Sequence, residues 1–126
     1  MNDWCKTHHG KSGLTAAVLA STVTLKAAED AVLAFVQQWV PLPHTAPLAG
    51  SSVHVDKAFL RTQMPALHDH LHYRIIDVST LKELGYRWCP RKMAKQPARA
   101  QRHRAMDDIL ASIEDLRYYR RTMFSC

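Results

Sequence analysis

Only two segments of this sequence have the composition of a β-strand, and this scarcity limits what the chain can fold into. Residues 73–78 are rich in β-branched and aromatic side chains, which favour strands. Residues 47–53 predict a second, short strand that ends in a turn. A stable sheet usually contains three or more strands. The sequence therefore predicts an α/β chain with an unusually small sheet.

Helical spacing of apolar residues predicts about five helices in the rest of the chain. They cover approximately residues 14–20, 25–39, 56–67, 80–88 and 104–119. Thr24 is the predicted N-cap of the second helix. Ser79 or Thr80 is the predicted N-cap of the fourth, where Thr80 and Glu83 fit a capping box. We expect the third helix to kink at Pro65.

Two helices carry a continuous apolar stripe, which we expect to face a core. In the second helix the stripe consists of Leu25, Val32, Leu33, Val36 and Trp39. In the last helix it consists of Met106, Ile109, Leu110, Ile113 and Leu116.

Charge and composition narrow the class of partner. The chain has 17 Lys and Arg against 11 Asp and Glu, a formal charge of +6, which favours a polyanionic partner. Its longest apolar run, Ala31–Val36, is far shorter than the roughly 20 residues that span a membrane. The three cysteines have no paired spacing, which is typical of a reducing compartment.

A group of histidines supplies one candidate metal site. His68, His70 and His72 are ligand types that zinc accepts, with Asp69 among them. However, no Cys or Glu stands at the spacing that completes a tetrahedral set. We favour the simpler interpretation, which is a polar helix end before the strand.

Aspartates near the two strands suggest a different chemistry. Asp56 follows the first strand and its turn, and Asp77 lies within the second strand. Asp107 and Asp108 open the last helix, shortly after His103. Carboxylates in such places can hold two divalent ions for phosphoryl displacement, with a histidine as general base. Each aspartate alone is also a common helix N-cap, so spacing leaves both interpretations open.

Three longer strings together resemble one known family. They are Trp4–Leu14, Leu71–Leu84 and His103–Ile109. They look like the oligoribonuclease family in its animal, mitochondrial-type form, which belongs to the DEDD exonucleases with a catalytic histidine. The resemblance covers nearly the whole chain and implies a ribonuclease H-like exonuclease fold.

The resemblance implies roles for individual residues. Asp56 and Asp108 match the metal-binding aspartates of the second and third family motifs, and His103 matches the general base. Tyr73 matches a tyrosine that acts in the partner subunit's site, which implies a homodimer. Ser51 is a departure, because the family has Asn at this position.

The remaining matches concern the substrate, short single-stranded RNA. The matching residues are Trp4, His9, Ser52, Arg74, Ser79 and Thr80. Ser52 and Arg74 correspond to the residues that bind the RNA 5′ phosphate, and the hydroxyls of Ser79 and Thr80 correspond to residues that assist them. Trp4 and His9 correspond to residues that line the substrate pocket, where an aromatic ring can stack on a base.

The first family motif, D-x-E, has no counterpart in the sequence. In the family this motif lies among three strands before the position of Met1. We therefore expect residues 1–126 to be the C-terminal two-thirds of a single exonuclease domain. Such a chain keeps two strands and about five helices, and its first strand has an unpaired apolar edge.

The resemblance implies a 3′-to-5′ exoribonuclease that degrades very short RNA to 5′ mononucleotides by two-metal hydrolysis with Mg²⁺ or Mn²⁺. The alternative is an inactive truncated paralogue or fragment that binds short RNA or pairs with a full-length subunit. The resemblance implies a mitochondrial or cytoplasmic location and no membrane partner.

Overall fold

The chain folds into helices around one small sheet. A computed structural model describes residues 3, 7, 9, 10, 12–97 and 105–124. Within residues 12–97 and 105–124 the helices are α1 (Leu14–Ala20), α2 (Leu25–Trp39), α3 (His54–Gln63), α4 (Pro65–His70), α5 (Val78–Trp88), α6 (Pro90–Met93) and α7 (Ala105–Met123). The strands are β1 (Leu48–Gly50) and β2 (Ile75–Asp77). The predicted α/β class is confirmed.

The two strands pair in parallel and end side by side. Leu48 lies opposite Ile75, and Gly50 lies opposite Asp77. Parallel neighbours need a crossover connection, which α3 and α4 provide here. Because both strands run in the same direction, the residues that follow them emerge at one edge of the sheet. In open α/β sheets this carboxyl edge is where ligands bind.

Two short helices account for the difference between the five predicted helices and those observed. The expected kink at Pro65 is a complete break, because α3 ends at Gln63 and Pro65 opens α4. Proline suits this first position, where its missing N–H has no helical partner. Pro90 opens α6 in the same way. No helix in the described ranges is long and apolar enough to cross a membrane.

The predicted caps are confirmed at one helix and wrong at another. The Thr24 hydroxyl accepts a hydrogen bond from the Ala27 N–H at 3.1 Å, as expected for the N-cap of α2. At α5 the N-cap is Asp77, and neither Ser79 nor Thr80. The Asp77 carboxylate accepts a hydrogen bond from the Ser79 N–H in the first turn of α5, so the helix begins directly after β2.

The buried core is small and lies where α5, α6 and α7 meet. Tyr119, on α7, has no exposed surface and packs with Val78 and Met93. Leu116 packs against this group, as the apolar stripe of the last helix predicted.

Most other residues of the predicted apolar faces are exposed, although Leu33 and Val36 on α2 are half-buried. Met106, Ile109, Leu110 and Ile113 on α7 are 42–65% exposed. Leu25, Val32 and Trp39 on α2 are exposed as well. An amphipathic helix buries its stripe only when a second layer covers it, and a sheet of two three-residue strands is too small to do so.

A buried carboxylate joins α2 to α4. Glu29 is only 4% exposed, and its Oε1 accepts hydrogen bonds from the N–H groups of Ala66 (2.7 Å) and Leu67 (3.2 Å). These donors lie in the first turn of α4, where N–H groups lack helical partners and carry partial positive charge. Glu29 therefore orients α4, and with it the chain that leads into β2.

We expect Glu29→Ala to lower the free energy of unfolding by about 1–3 kcal/mol, because two N–H groups lose their acceptor. Glu29→Gln keeps an amide oxygen and should lose less. Urea unfolding followed by circular dichroism measures both. The control is Asp30→Ala, which removes an exposed carboxylate paired with Lys26. Equal losses for Glu29→Ala and Asp30→Ala would contradict the assignment.

Asp77 connects the end of β2 to the turn after β1. Its Oδ1 accepts hydrogen bonds from the N–H groups of Ser79 and Ser52, both at 2.9 Å, and its Oδ2 lies 3.4 Å from His54 Nδ1. The side chain is 12% exposed. Partial burial by itself raises the pKa of Asp77, but the hydrogen bonds from Ser52, Ser79 and His54 outweigh it and lower the pKa below its ordinary value.

This lowered pKa predicts how stability depends on pH. A carboxyl group with a lower pKa in the folded state stabilises the fold above its unfolded pKa of about 3.9, and this contribution is lost as the pH falls through the folded pKa. The difference in unfolding free energy between the native chain and Asp77→Asn should therefore be constant from pH 5 to 7 and shrink below about pH 4. Urea titrations across this range measure it, and an undiminished difference at pH 3 would show that the charge of Asp77 is not responsible.

Candidate functional site

The turn after β1 holds Ser52 in an unusual backbone conformation. Its φ angle is 56°, in the left-handed region that residues with a side chain rarely adopt. The Ser52 N–H lies 2.9 Å from both Asp77 Oδ1 and Ser79 Oγ, and the two serine hydroxyls are 3.2 Å apart. Conformations of this kind cost about 1–3 kcal/mol and persist where the surroundings enforce them. Here Asp77 and Ser79 do so.

An open pocket lies between this turn and the start of α5. Its volume is about 380 Å³, and it is lined by Ser52, His54, Asp77, Ser79, Thr80, Glu83, Leu84 and Arg87. Three of the predicted substrate-binding residues, Ser52, Ser79 and Thr80, therefore share one cavity. All three present hydroxyl groups, which can donate hydrogen bonds to an anion.

Two further charged residues of this pocket were not predicted to bind substrate, namely Glu83, which was expected only in a capping box, and Arg87. Arg87 donates hydrogen bonds from one guanidinium nitrogen to the Glu83 carbonyl (2.8 Å) and to Glu83 Oε2 (2.6 Å). Thr80, Glu83, Leu84 and Arg87 recur at i, i+3, i+4 and i+7, so one face of α5 lines the cavity. This spacing was visible in the sequence and could have identified Arg87 once Thr80 was chosen.

Arg74 is not among the residues that line the pocket. Its guanidinium carbon lies 5.2 Å from the centre of the Tyr73 ring, a cation–π arrangement. The Tyr73 ring also stacks on His72, with 4.5 Å between ring centres. Tyr73 remains 74% exposed.

The predicted metal ligands Asp56 and Asp108 lie on different helices. Both are exposed residues in the first turn of their helix, Asp56 on α3 and Asp108 on α7. Ser51, in the turn before α3, contacts Ser112 on α7, with their hydroxyls 2.9 Å apart. Ser112 also donates to the Asp108 carbonyl at 2.9 Å. Ser51, the departure from the family motif, thus contributes to the contact between α7 and the turn.

These aspartates do not form a complete metal site with the other described residues. Across residues 12–97 and 105–124, no group of three or more His, Cys, Asp or Glu side chains is placed to hold a metal ion. Mg²⁺ and Mn²⁺ require several oxygen ligands in near-octahedral geometry. Two exposed carboxylates alone do not fit such an ion.

The histidines considered for zinc have separate partners. His68 Nδ1 lies 3.0 Å from Asp69 Oδ1, and His70 Nε2 lies 2.9 Å from the Val40 carbonyl oxygen. The His72 Nδ1 accepts a hydrogen bond from the Arg74 N–H at 3.0 Å. This arrangement agrees with the simpler interpretation, a polar end of α4.

The structure gives little information on three further predicted residues. Trp4 and His103 lie outside the described residues. His9 is half-buried and is not among the residues that line the cavity.

Comparison with known proteins relates the chain to exonucleases. Residues 1–116 match the exonuclease family RNase_T. The chain is 58% identical to the mitochondrial oligoribonuclease of Mus musculus and 57% identical to that of Homo sapiens, over 124 residues in both cases. It is 53% identical to the oligoribonuclease of Corynebacterium efficiens over the same number of residues.

Each of these alignments covers 98% of the chain but only 52–56% of the relative. The chain therefore spans about half the length of the curated relatives it matches. The match confirms the ribonuclease H-like exonuclease class predicted from the sequence. The chain belongs to the RNase_T exonuclease family, and its sequence is similar to those of oligoribonucleases.

Proposed function

We propose that this chain acts in the 3′-to-5′ degradation of very short RNA, and that the pocket beside α5 binds the 5′ phosphate of the substrate. The observation that carries this proposal is the gathering of the Ser52, Ser79 and Thr80 hydroxyls in one cavity. The cavity lies at the N-terminus of α5, where partial positive charge favours an anion. Because the cavity caps one end of the RNA, it favours oligomers of a few nucleotides.

The charges around the pocket are compatible with a phosphate. Asp77 is negative, but the Ser52 and Ser79 N–H groups donate to its carboxylate and His54 Nδ1 lies 3.4 Å from it, which offsets part of this charge. Arg87 offsets the charge of Glu83 and retains further N–H donors. Arg74 lies over Tyr73, so its contact with the phosphate requires rotation of its exposed side chain.

The catalytic part of the proposal rests on family membership. Exonucleases of this family use divalent metal ions, and Asp56 and Asp108 match two of their ligands. These two carboxylates contribute part of a site, which needs further oxygen ligands from outside the described residues. His103 remains the predicted general base, and the choice between Mg²⁺ and Mn²⁺ stays a prediction.

The same proposal includes a homodimer in which Tyr73 acts in the partner's site. The exposure of the Tyr73 ring supports this role, since the side chain is available to a second copy of the chain. A mitochondrial or cytoplasmic location follows from the same family membership.

A second function is binding of short RNA without hydrolysis. It is favoured by a specific observation, which is that the described residues bring no three metal ligands together, whereas the hydroxyls of Ser52, Ser79 and Thr80 do share one pocket. This chain would then bind the end of an RNA or lend Tyr73 to a longer subunit.

Turnover of a 5′-labelled diribonucleotide with Mn²⁺ separates the two functions. If the chain is an exoribonuclease, it releases mononucleotides, and Asp56→Ala reduces the rate by at least about 100-fold through loss of a metal ligand. The control Asp69→Ala removes an exposed carboxylate on α4 and should retain full activity. Binding without turnover in all three proteins would select the second function.

The phosphate pocket is tested by Thr80→Val, which removes one hydroxyl and keeps the shape of the side chain. Loss of a hydrogen bond to a charged group should weaken binding of a 5′-phosphorylated diribonucleotide about tenfold. Binding of the same dinucleotide with a 5′ hydroxyl should be unchanged. Calorimetric titration measures both, and equal weakening for the two ligands would place the phosphate elsewhere.

A further inference from the structure

Lys57 makes two hydrogen bonds to consecutive backbone carbonyls. It follows Asp56 on α3, and its ammonium donates to the carbonyl oxygens of His72 (2.7 Å) and Tyr73 (2.6 Å). These carbonyls belong to the segment that leads into β2. A single half-buried side chain thus attaches this segment to the helix that carries a predicted metal ligand.

Other contacts hold the same segment. The His72 N–H donates to the Ala46 carbonyl at 2.9 Å, and the Arg74 N–H donates to His72 Nδ1 at 3.0 Å. The backbone on both sides of Tyr73 is therefore fixed, whereas the Tyr73 ring is 74% exposed. The structure presents this ring to the solvent from a rigid base.

The energetics of Lys57 agree with a positioning role. A half-buried ammonium loses part of its hydration, which is unfavourable unless it is hydrogen-bonded. Two short charge-assisted bonds compensate for this loss. An aromatic side chain on a fixed backbone also loses less conformational entropy when it enters a binding site than one on a mobile loop.

We propose that Lys57 is a positioning residue that directs Tyr73 towards a second copy of the chain. By bridging the His72 and Tyr73 carbonyls to α3, it sets the direction in which the Tyr73 ring projects. This inference rests on the proposed function, because Tyr73 has a site to reach only if the chain pairs. Its consequence is that α3 carries a metal ligand for its own site and positions a side chain for the partner's site.

The first experiment reads the position of Tyr73 without any activity. The chain has four tyrosines, so selective ¹³C labelling of tyrosine rings gives four NMR signals, and Tyr73→Phe identifies one of them. Lys57→Met should move the Tyr73 signal towards that of a free tyrosine and leave the other three in place. Lys57→Arg keeps donors at this position and should largely restore the native signal.

The matched control is Lys82→Met, which removes an exposed lysine from α5 and should leave all four signals unchanged. A Tyr73 signal that does not move in Lys57→Met would overturn the proposal. Joint movement of all four signals would also overturn it, because Lys57 would then support the fold in general.

The second experiment tests the action on the partner by mixing subunits. Lys57→Met alone should lower kcat on a diribonucleotide about 100-fold with little change in KM, because the ring is misplaced and the substrate pocket is intact. When the Lys57→Met and Asp56→Ala proteins are mixed, activity should return. In the mixed dimer the Lys57→Met subunit retains Asp56, and it receives Tyr73 from the Asp56→Ala subunit, which retains Lys57.

If the native chain is active but the mixed subunits regain no activity, Lys57 does not position Tyr73 for the partner's site. If the native chain itself shows no turnover, the proposed exoribonuclease function fails. The tyrosine signals still decide whether Lys57 positions Tyr73.

Discussion

The carboxylate of Asp77 is the interaction on which the candidate site depends. It ends β2, caps α5 and holds the turn after β1 through the Ser52 N–H, so three elements meet at one side chain. The left-handed conformation of Ser52 requires this anchor, and so does the closeness of the Ser52 and Ser79 hydroxyls. The pocket beside α5 is therefore a consequence of how the end of β2 is capped.

The two halves of the site differ in how completely this chain forms them. The binding half consists of hydroxyls and charges on the β1–α3 turn and one face of α5, which local hydrogen bonds hold in place. The proposed metal half has two exposed aspartates, Asp56 on α3 and Asp108 on α7, and Ser112 on α7 contacts Ser51 in the turn before α3. The proposed binding of a short RNA therefore requires less of this chain than the proposed hydrolysis does.

The exposed apolar surface and the exposed Tyr73 ring have different physical origins. The stripes of α2 and α7 lack a second layer, because the sheet has only two short strands. Tyr73, in contrast, projects from a backbone that Lys57 and His72 hold firmly. Unsupported apolar faces result from a small sheet, whereas a rigidly presented aromatic ring is a feature that the local contacts build.

The sequence by itself determined the α/β class, both strands, the Thr24 cap and the family, because strand composition, helical spacing and long motifs are local signals. Only the tertiary structure decided that Asp77 caps α5 and that Arg87 lines the pocket, while Arg74 lies over Tyr73. The same is true of Glu29 and Lys57, whose side chains join segments that are distant in the sequence. The tertiary structure also decided that most of the α7 stripe is exposed. These features depend on which elements pack together, and spacing along the chain does not encode the presence of a covering layer or the direction of a long side chain.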